Sequence, residues 1–365
     1  MSNANSLRAI AIHLPQFHPI PENDSWWGKG FTEWTNVAKA RPLFKGHYQP
    51  HLPSALGFYD LRLPEVREAQ ADLARAHGIF GFCYYHYWFN GRRLLERPVN
   101  EILASKRPDF PFCLCWANEN WTRRWDGKES EILLGQTYSA EDDRKHVQSL
   151  LPAFTDERYI RINGRPVFLF YRASNIPDPR RAVENWRKAA KDLGIGELYL
   201  CCVESDRKDH GMSNAWGFDA AVEFAPDSTN LPRRLRKGKH WGVWRRLGLG
   251  NRAFGLNEIY DYEEAAARII AKPSPSYLRY RCVMPSWDNS ARRRSNAYIF
   301  RNATPQAYEN WLAEIVRSFQ PPTADENLVF INAWNEWAEG NHLEPCHRWG
   351  YQYLESTRRA LASVS

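Results

Sequence analysis

The sequence predicts a single (β/α)8 barrel with elaborated loops over residues 1–365, and two observations support this fold class. Eight short runs rich in apolar and β-branched residues alternate with helical stretches along the chain. No glycine-rich phosphate loop follows an early strand, as it usually would in an open doubly wound sheet. We therefore expect parallel strands that close into a barrel surrounded by helices.

The strand predictions rest on short apolar runs that end in polar residues. The predicted strands are 9–14, 79–87, 112–117, 166–171, 198–203, 219–224, 279–284 and 328–334. The clearest predicted helices are 64–77, 140–151, 180–193, 263–271 and 305–319. At the end of the first of these helices, His77-Gly78 is typical of a C-cap that leads directly into a strand.

The composition is that of a globular protein, with 43% hydrophobic and 25% charged residues. No apolar run approaches the roughly 20 residues of a transmembrane helix. The polar residues 1–6 lack the basic and apolar regions of a signal peptide, which predicts a cytoplasmic protein. Because the formal charge of +7 is modest for 365 residues, nucleic acid is not an expected partner.

The seven cysteines are expected to be reduced core residues, since most of them lie within apolar runs. Cys113 and Cys115 are one residue apart, and the chain has no CxxC pair or histidine partner at zinc-ligand spacing. We therefore predict no metal site and no cofactor.

The segment 333–340, Ala-Trp-Asn-Glu-Trp-Ala-Glu-Gly, carries the clearest functional signal. It places Glu336 and Glu339 where an apolar strand runs into a loop, and glycosidic-bond chemistry requires paired carboxyls. Strand alternation places Asn332, Trp334 and Glu336 on the same face, so Glu336 is predicted to face the barrel mouth. Gly340 would let the backbone turn, so that the carboxyls converge to about 5–10 Å. The alternative is a helix cap beside a surface glutamate.

Polar and aromatic residues meet at the carboxyl ends of almost all predicted strands, where barrel enzymes place their active sites. Sugars stack their C–H faces on aromatic rings and present hydroxyls to polar side chains. The 16 tryptophans thus favour a carbohydrate substrate, the alternative being an aromatic-rich core. The predicted substrate-binding residues are His13, Gln16, His18, Trp34, His86, Trp88, Trp116, Asn118, Glu119, Trp121, Tyr171, Trp287, Asp288, Trp334 and Asn335.

Five stretches of the chain closely resemble the WbsX-type family: 14–19 (LPQFHP), 26–34 (WWGKGFTEW), 48–51 (YQPH), 116–121 (WANENW) and 335–340 (NEWAEG). That family is described as glycoside hydrolase family 99-like. It is often labelled a glycosyltransferase of bacterial surface-polysaccharide synthesis, which includes the O-antigen of lipopolysaccharide. The resemblance covers nearly the whole chain and implies a (β/α)8 barrel that acts on sugars.

The related endo-α-mannosidases of family 99 carry an Asn-Glu-Trp-His-Glu-Gly motif, and this chain has Ala338 at the histidine position. The resemblance implies that Glu336 removes the proton of the sugar 2-hydroxyl, which gives a 1,2-anhydro intermediate. It also implies that Glu339 is the acid, and then the base, at the departing oxygen. The ordinary retaining scheme instead uses one carboxylate as the nucleophile. Because the histidine is replaced, mannose specificity does not follow.

Three functions are compatible with these motifs. The first is hydrolysis or transglycosylation of an oligosaccharide or polysaccharide by the two glutamates. The second is sugar transfer from an activated donor in surface-polysaccharide synthesis, which a cytoplasmic location favours although no nucleotide-binding fingerprint is present. The third is sugar binding without turnover.

A basic insertion at about 226–276 departs from the short loops of a compact barrel. If it faces the barrel mouth together with the second basic run at 292–294, the expected partner is a phosphate-bearing or lipid-linked sugar. The insertion would then bind a diphosphate or contact the inner face of the membrane, and the alternative is a solvated loop. Its basic and aromatic residues are Arg233, Arg234, Arg236, Lys237, Lys239, Trp241, Trp244, Arg245, Arg246 and Arg252.

Overall fold

The protein is a closed barrel of parallel strands, as the sequence predicts. The computed structural model describes residues 7–123, 128–235, 255–293 and 295–363. The barrel strands are β1 (Arg8–His13), β2 (Ile79–Phe89), β3 (Phe112–Trp116), β4 (Arg165–Phe170), β5 (Tyr199–Glu204), β6 (Ala220–Glu223), β7 (Arg279–Val283) and β8 (Leu328–Ile331). Each strand pairs in parallel with the next, and β1 also pairs with β8, which closes the barrel.

Helices cover the outside of the barrel, and all of the clearest predicted helices are confirmed, with small shifts at their ends. The short helices in the loop after β1, the helix after β2 and the last helix were not predicted from the sequence. The helices are α1 (Pro21–Trp27), α2 (Glu33–Lys39), α3 (Pro64–Ala76), α4 (Arg97–Ser105), α5 (Ala140–Phe154), α6 (Pro179–Asp192), α7 (Tyr262–Ile270), α8 (Pro305–Ser318) and α9 (Gln352–Ala362).

The loops at the carboxyl end of the barrel contain additional short helices and strands. Residues 14–63, between β1 and α3, include α1 and α2. After β3, Trp121–Arg123 pairs antiparallel with Lys128–Leu134. A small parallel sheet joins Glu258–Asp261, after β6, to Tyr298–Arg301, after β7. Shorter strands are Arg92–Leu94, Arg161–Ile162, Asn335–Glu336 and Asn341–His342.

The predicted basic insertion at 226–276 is in part an ordinary barrel segment. Its last part contains the strand Glu258–Asp261 and α7, which is the helix between β6 and β7. Arg234 lies within this loop and forms an ion pair with Glu258 at 2.9 Å. The predicted basic and aromatic residues at 236–252 lie outside the described residues, as does Arg294.

The barrel interior and the layer between strands and helices form one continuous apolar core. All seven cysteines are buried as free thiols, in agreement with the prediction that they are core residues. Among the described residues, no helix is long and apolar enough to cross a membrane.

Candidate active site

A cavity of about 410 Å³ opens at the carboxyl end of the barrel. Residues that end or follow each of the eight barrel strands line it, so the closed barrel brings distant parts of the chain together. Lining residues discussed below are Gln16, Trp26, Tyr85, Tyr87, Glu119, Trp121, Tyr171, Arg172, Asp206, Trp287, Arg292, Glu336 and Glu339.

The chain after β8 folds back on itself and presents the two glutamates. The short strands Asn335–Glu336 and Asn341–His342 pair antiparallel, and a 3-10 turn at Trp337–Glu339 connects them. Gly340 ends this turn at a φ of 58°, a conformation that glycine adopts without steric cost. The turn that the sequence predicts at Gly340 is therefore present.

Arg292 binds three carboxylates at one side of the cavity. Its Nη2 lies 2.8 Å from Glu336, and its Nη1 lies 2.7 Å from Glu339. Its Nε donates to Glu33, a fully buried residue of α2, at 2.7 Å. Both glutamates of the motif therefore converge on neighbouring nitrogens of a single guanidinium.

Burial and the close approach of like charges shift the acidity of this cluster. Burial raises the pKa of Glu336 to about 8; the contact with Arg292 opposes the shift, and the charge of Glu339 adds to it. Burial likewise raises the pKa of Glu339. Near neutral pH the two carboxyls together therefore bind one proton. The pair thus offers both a proton donor and a proton acceptor.

The loop after β7 fixes the backbone of the second glutamate. The N–H of Asp288 donates to the carbonyl of Glu339 at 2.6 Å. The carboxylate of Asp288 accepts hydrogen bonds from His47 at 2.6 Å and from Gln49 at 2.9 Å. Asp288 is not among the residues that line this cavity. Its contacts are those of a residue that positions Glu339.

A buried hydrogen-bond network supports the same turn from within the protein. Glu344 accepts hydrogen bonds from Trp337 at 2.6 Å, from Gln70 at 2.7 Å and from Tyr59 at 2.8 Å. Burial raises the pKa of Glu344 to about 7, and the three donors oppose that shift. Through Trp337, this network holds the turn that carries both glutamates.

Aromatic side chains from separate elements form much of the remaining wall. Trp26 of α1 meets Trp121 of the hairpin edge-on, with ring centres 5.7 Å apart. Tyr87 at the end of β2 contacts the same ring at 5.3 Å, and Tyr85 meets Tyr171 edge-on at 5.7 Å. Both tryptophans are partly exposed, so their rings can stack on a sugar.

Seven of the residues selected from the sequence line this cavity. They are Gln16, Glu119, Trp121, Tyr171, Trp287, Glu336 and Glu339.

His13, His86, Trp88 and Trp116 do not line the cavity, because their side chains point from the barrel strands toward the helices. His86 and His146 of α5 share a hydrogen bond of 2.8 Å between their Nε2 atoms. Trp88 stacks on the His146 ring at 4.5 Å, and Trp116 meets that ring edge-on at 4.7 Å. His13 is buried and hydrogen-bonded to a side chain of α3. These residues stabilise the layer between strands and helices.

Two selected asparagines are buried and bind main-chain groups instead of facing the cavity. Asn118 accepts from the N–H of Arg172 and donates to its carbonyl, both at 2.8 Å. Asn335 likewise accepts from the N–H of Leu14 at 2.7 Å and donates to its carbonyl at 3.0 Å. Both side chains hold loops at the cavity rim in place.

The other selected residues, Trp34, His18 and Trp334, are buried away from the cavity. Trp34 packs against Trp337 at 5.5 Å, and burial lowers the pKa of His18 to about 4. Trp334 is fully buried, so the alternation predicted across 328–334 is wrong for this residue. The reason is that β8 ends at Ile331, so regular strand alternation does not extend to Trp334.

Arg292 and Glu33 are the most important residues that the sequence analysis did not select. Arg292 lies in the basic run 292–294, and Glu33 lies in the family-like stretch 26–34. Their contact joins positions 259 residues apart, so no local pattern indicates it.

The comparisons with known proteins identify the family of this chain. It belongs to the family described as Glycosyltransferase WbsX, whose model matches residues 9–357. The chain is 45% identical over 355 residues to the uncharacterized protein WxcX of Xanthomonas campestris pv. campestris. That match covers 96% of this chain and 49% of WxcX, so the chain spans about half the length of that relative.

Two solved structures share the fold. A glycoside hydrolase-like protein superposes with a TM-score of 0.60 at 15% identity, over 98% of this chain and 94% of that one. The family 99 endo-α-mannosidase of Bacteroides thetaiotaomicron superposes with a TM-score of 0.57 at 14% identity, over 99% of this chain and 98% of that one. The predicted barrel fold and the resemblance to the WbsX family are thus confirmed.

Proposed function

We propose that the protein cleaves or exchanges glycosidic bonds of a bacterial oligosaccharide or polysaccharide, as a family 99-like hydrolase or transglycosylase. The convergence of Glu336 and Glu339 on Arg292, inside an aromatic-lined cavity, carries this proposal. Paired carboxyls supply the proton transfers of glycosidic-bond cleavage, and aromatic rings supply the stacking surface for sugars.

In the proposed reaction, Glu336 takes the proton of the sugar 2-hydroxyl, and that oxygen attacks the anomeric carbon to form a 1,2-anhydro sugar. Glu339 gives its proton to the departing glycosidic oxygen as the bond to the anomeric carbon breaks. The ionised Glu339 then removes a proton from water or from an acceptor hydroxyl. The oxygen of that molecule attacks the anomeric carbon, and the bond from this carbon to the 2-oxygen breaks, so the anhydro ring opens. Glu336 returns its proton to the 2-oxygen, and both residues regain their starting states.

Arg292 suits this scheme because it contacts both carboxyls and is itself held by a third. The ion pair at 2.8 Å stabilises the ionised form of Glu336, which a base needs and which burial opposes. The contact with Glu33 at 2.7 Å keeps the guanidinium in place while the charges of the other two change.

Sugar transfer from an activated donor is the second candidate, and the name of the family favours it. Binding a nucleotide diphosphate would require positive charge that is free to contact phosphate. In the cavity, Arg172 lies 3.3 Å from Glu119 and 2.7 Å from Asp206, and Arg292 contacts three carboxylates. The charges of these two arginines are therefore already compensated; Arg293 lines the same cavity and lowers the pKa of Glu339. A lipid-linked substrate, contact with the membrane and a cytoplasmic location stay predictions.

The test is to incubate the protein with defined oligosaccharides alone and, in parallel, with nucleotide sugars and an acceptor, and to identify products by mass spectrometry. New reducing ends or exchanged oligosaccharides without any activated donor would support the proposal. Extension that depends on the donor would overturn it in favour of a transferase. Sugar binding without product in either arm would indicate a binding protein.

A further inference from the structure

A second cavity, of about 320 Å³, lies next to the candidate active site. Trp287 lines both cavities. Along the turn after β8, Glu339 lines the first cavity and the next residue, Gly340, lines the second. One layer of residues therefore separates the two spaces. The volume lies at the lower end of the roughly 300–1,000 Å³ of small-molecule sites.

Two arginines stacked on aromatic rings dominate the wall of this second cavity. The guanidinium of Arg348 lies 4.6 Å from the ring centre of Tyr48 and 4.9 Å from that of Trp349. The guanidinium of Arg301 lies 5.8 Å from the ring centre of Phe44. All five residues line the cavity.

Neither of these two arginines forms an ion pair within the part of the chain that the structure describes, in contrast to Arg172 and Arg292 of the first cavity. A guanidinium that stacks by its face keeps the N–H groups along its edge available. Those edges match the paired oxygens of a carboxylate or a phosphate.

Two carboxylates, Asp288 and Glu263, share this wall, but among the described residues neither forms an ion pair with Arg301 or Arg348. Asp288 is occupied by hydrogen bonds from His47 and Gln49. Burial lowers the pKa of His51 to about 4, so that imidazole is neutral at pH 7. Glu263 is the exposed carboxylate at the cavity rim.

We propose that this second cavity binds a sugar unit that carries an anionic substituent, either a carboxylate or a phosphate. Arg301 and Arg348 would bind the anion, and rings such as Trp287 and Phe300 would contact the body of the sugar. This proposal does not depend on the chemistry of Glu336 and Glu339, since it requires only binding.

The test measures binding of glucuronate, glucose 1-phosphate, inorganic phosphate and glucose to the whole protein by isothermal titration calorimetry. We expect at least one anionic sugar to bind, and glucose to bind at least about tenfold more weakly, because it lacks the charge-assisted hydrogen bonds. The two anionic sugars distinguish a carboxylate from a phosphate. If inorganic phosphate binds as tightly as the anionic sugars, the site is for a bare anion and the proposal is wrong.

Five variants locate the bound sugar. Arg301→Gln and Arg348→Gln should each reduce the affinity for the tighter-binding anionic sugar by about tenfold, since each removes one charged contact. Arg180→Gln on α6, an exposed arginine outside both cavities, removes the same charge and should leave affinity unchanged. Glu336→Gln should also leave it unchanged. Each variant's melting temperature is measured, and Arg348→Lys, which keeps the charge, should bind with intermediate affinity.

Three further outcomes would overturn the proposal. The first is that neither anionic sugar binds. The second is that Arg180→Gln loses as much affinity for the sugar as Arg301→Gln and Arg348→Gln do. The third is that Glu336→Gln loses affinity while Arg301→Gln and Arg348→Gln keep it. The last result would place the sugar in the first cavity. Because Glu336→Gln should leave this binding intact, failure here is distinguishable from failure of the proposed reaction.

Discussion

Arg292 contacts Glu339 at 2.7 Å through one guanidinium nitrogen and Glu336 at 2.8 Å through the next. A single planar cation thereby sets the relative position of the two carboxyls. The position of Arg292 is in turn fixed by Glu33, so three regions of the chain meet in this cluster.

Arg292→Met should reduce turnover by on the order of 10²-fold, because it frees the carboxyls to move apart and removes the charge that stabilises their ionised forms. Breaking a buried ion pair on one side also costs about 3–5 kcal/mol of stability. Turnover and thermal melting are measured together, with Arg317→Met on α8 as the exposed control. Wild-type turnover in Arg292→Met would contradict the role assigned to this residue.

Glu336→Gln and Glu339→Gln should each reduce turnover by about 10²-fold or more, because proton transfer by a positioned group contributes about 10²–10⁴-fold. The amide is nearly isosteric, so the melting temperature should change little. If the protein uses an activated donor, its leaving group needs no proton. Glu339→Gln would then be mild while Glu336→Gln stays severe. Near-normal rates in both variants would mean that the motif is structural.

The barrel was predictable from the sequence because its signal is local and repeated. Each buried parallel strand is a short apolar run, and each covering helix has its own periodicity. The loops were less predictable, since α1 and α2 are short helices whose positions depend on packing within residues 14–63.

The candidate site was only partly predictable, because a strand end does not reveal which face of the strand lines the cavity. At the end of β2, Tyr85 and Tyr87 line the cavity, whereas the selected His86 and Trp88 face α5. Successive side chains of a strand alternate between faces, so an error of one residue moves every choice to the wrong side. Both faces of β2 carry aromatic residues, and composition could not decide between them.

The rate should depend on pH with a loss on the alkaline side near pH 8. Burial and the charge of Glu339 raise the pKa of Glu336 to about 8, so the pair holds one proton below that pH and loses it above, when Glu339 can no longer be protonated. A reaction that needs one donor and one base then lacks its donor. The measurement is kcat/KM from pH 5 to 10. A profile that stays flat through pH 9 would contradict the shared proton.

The buried pair His86 and His146 should make the protein less stable in acid. Burial holds both pKa values well below 6.5, so the unfolded chain binds more protons as pH falls below that value. Stability from this source is complete above about pH 6.5 and decreases toward acid pH, by about 2 kcal/mol per histidine at pH 5.

Urea unfolding at pH 7 and pH 5 measures this loss. The double variant His86→Leu with His146→Leu should lose less stability between the two pH values, although other buried histidines such as His13 keep part of the dependence. An equal loss in wild type and variant would show that the pair does not titrate on unfolding.

Gly340→Ala should impair catalysis as well as stability, whereas Gly350→Ala should affect stability alone. Both glycines have positive φ angles, 58° and 53°, where a Cβ costs about 1–2 kcal/mol. At Gly340 the added Cβ would also lie 3.1 Å from the Cβ of Asp288 and 3.2 Å from its backbone nitrogen and oxygen, while at Gly350 it meets nothing within 4 Å. In Gly340→Ala, Asp288 or the turn that carries Glu339 therefore has to move by a few tenths of an ångström.

Since small displacements of catalytic groups cost up to about 10²-fold, we expect turnover to fall by on the order of tenfold or more in Gly340→Ala and to stay near wild type in Gly350→Ala. Both variants are assayed well below their melting temperatures, so that unfolding does not contribute to the rates. Equal turnover in the two variants would mean that the contact between Gly340 and Asp288 does not position Glu339. A parallel loss of turnover and stability in both would mean that the backbone conformation alone accounts for the effect.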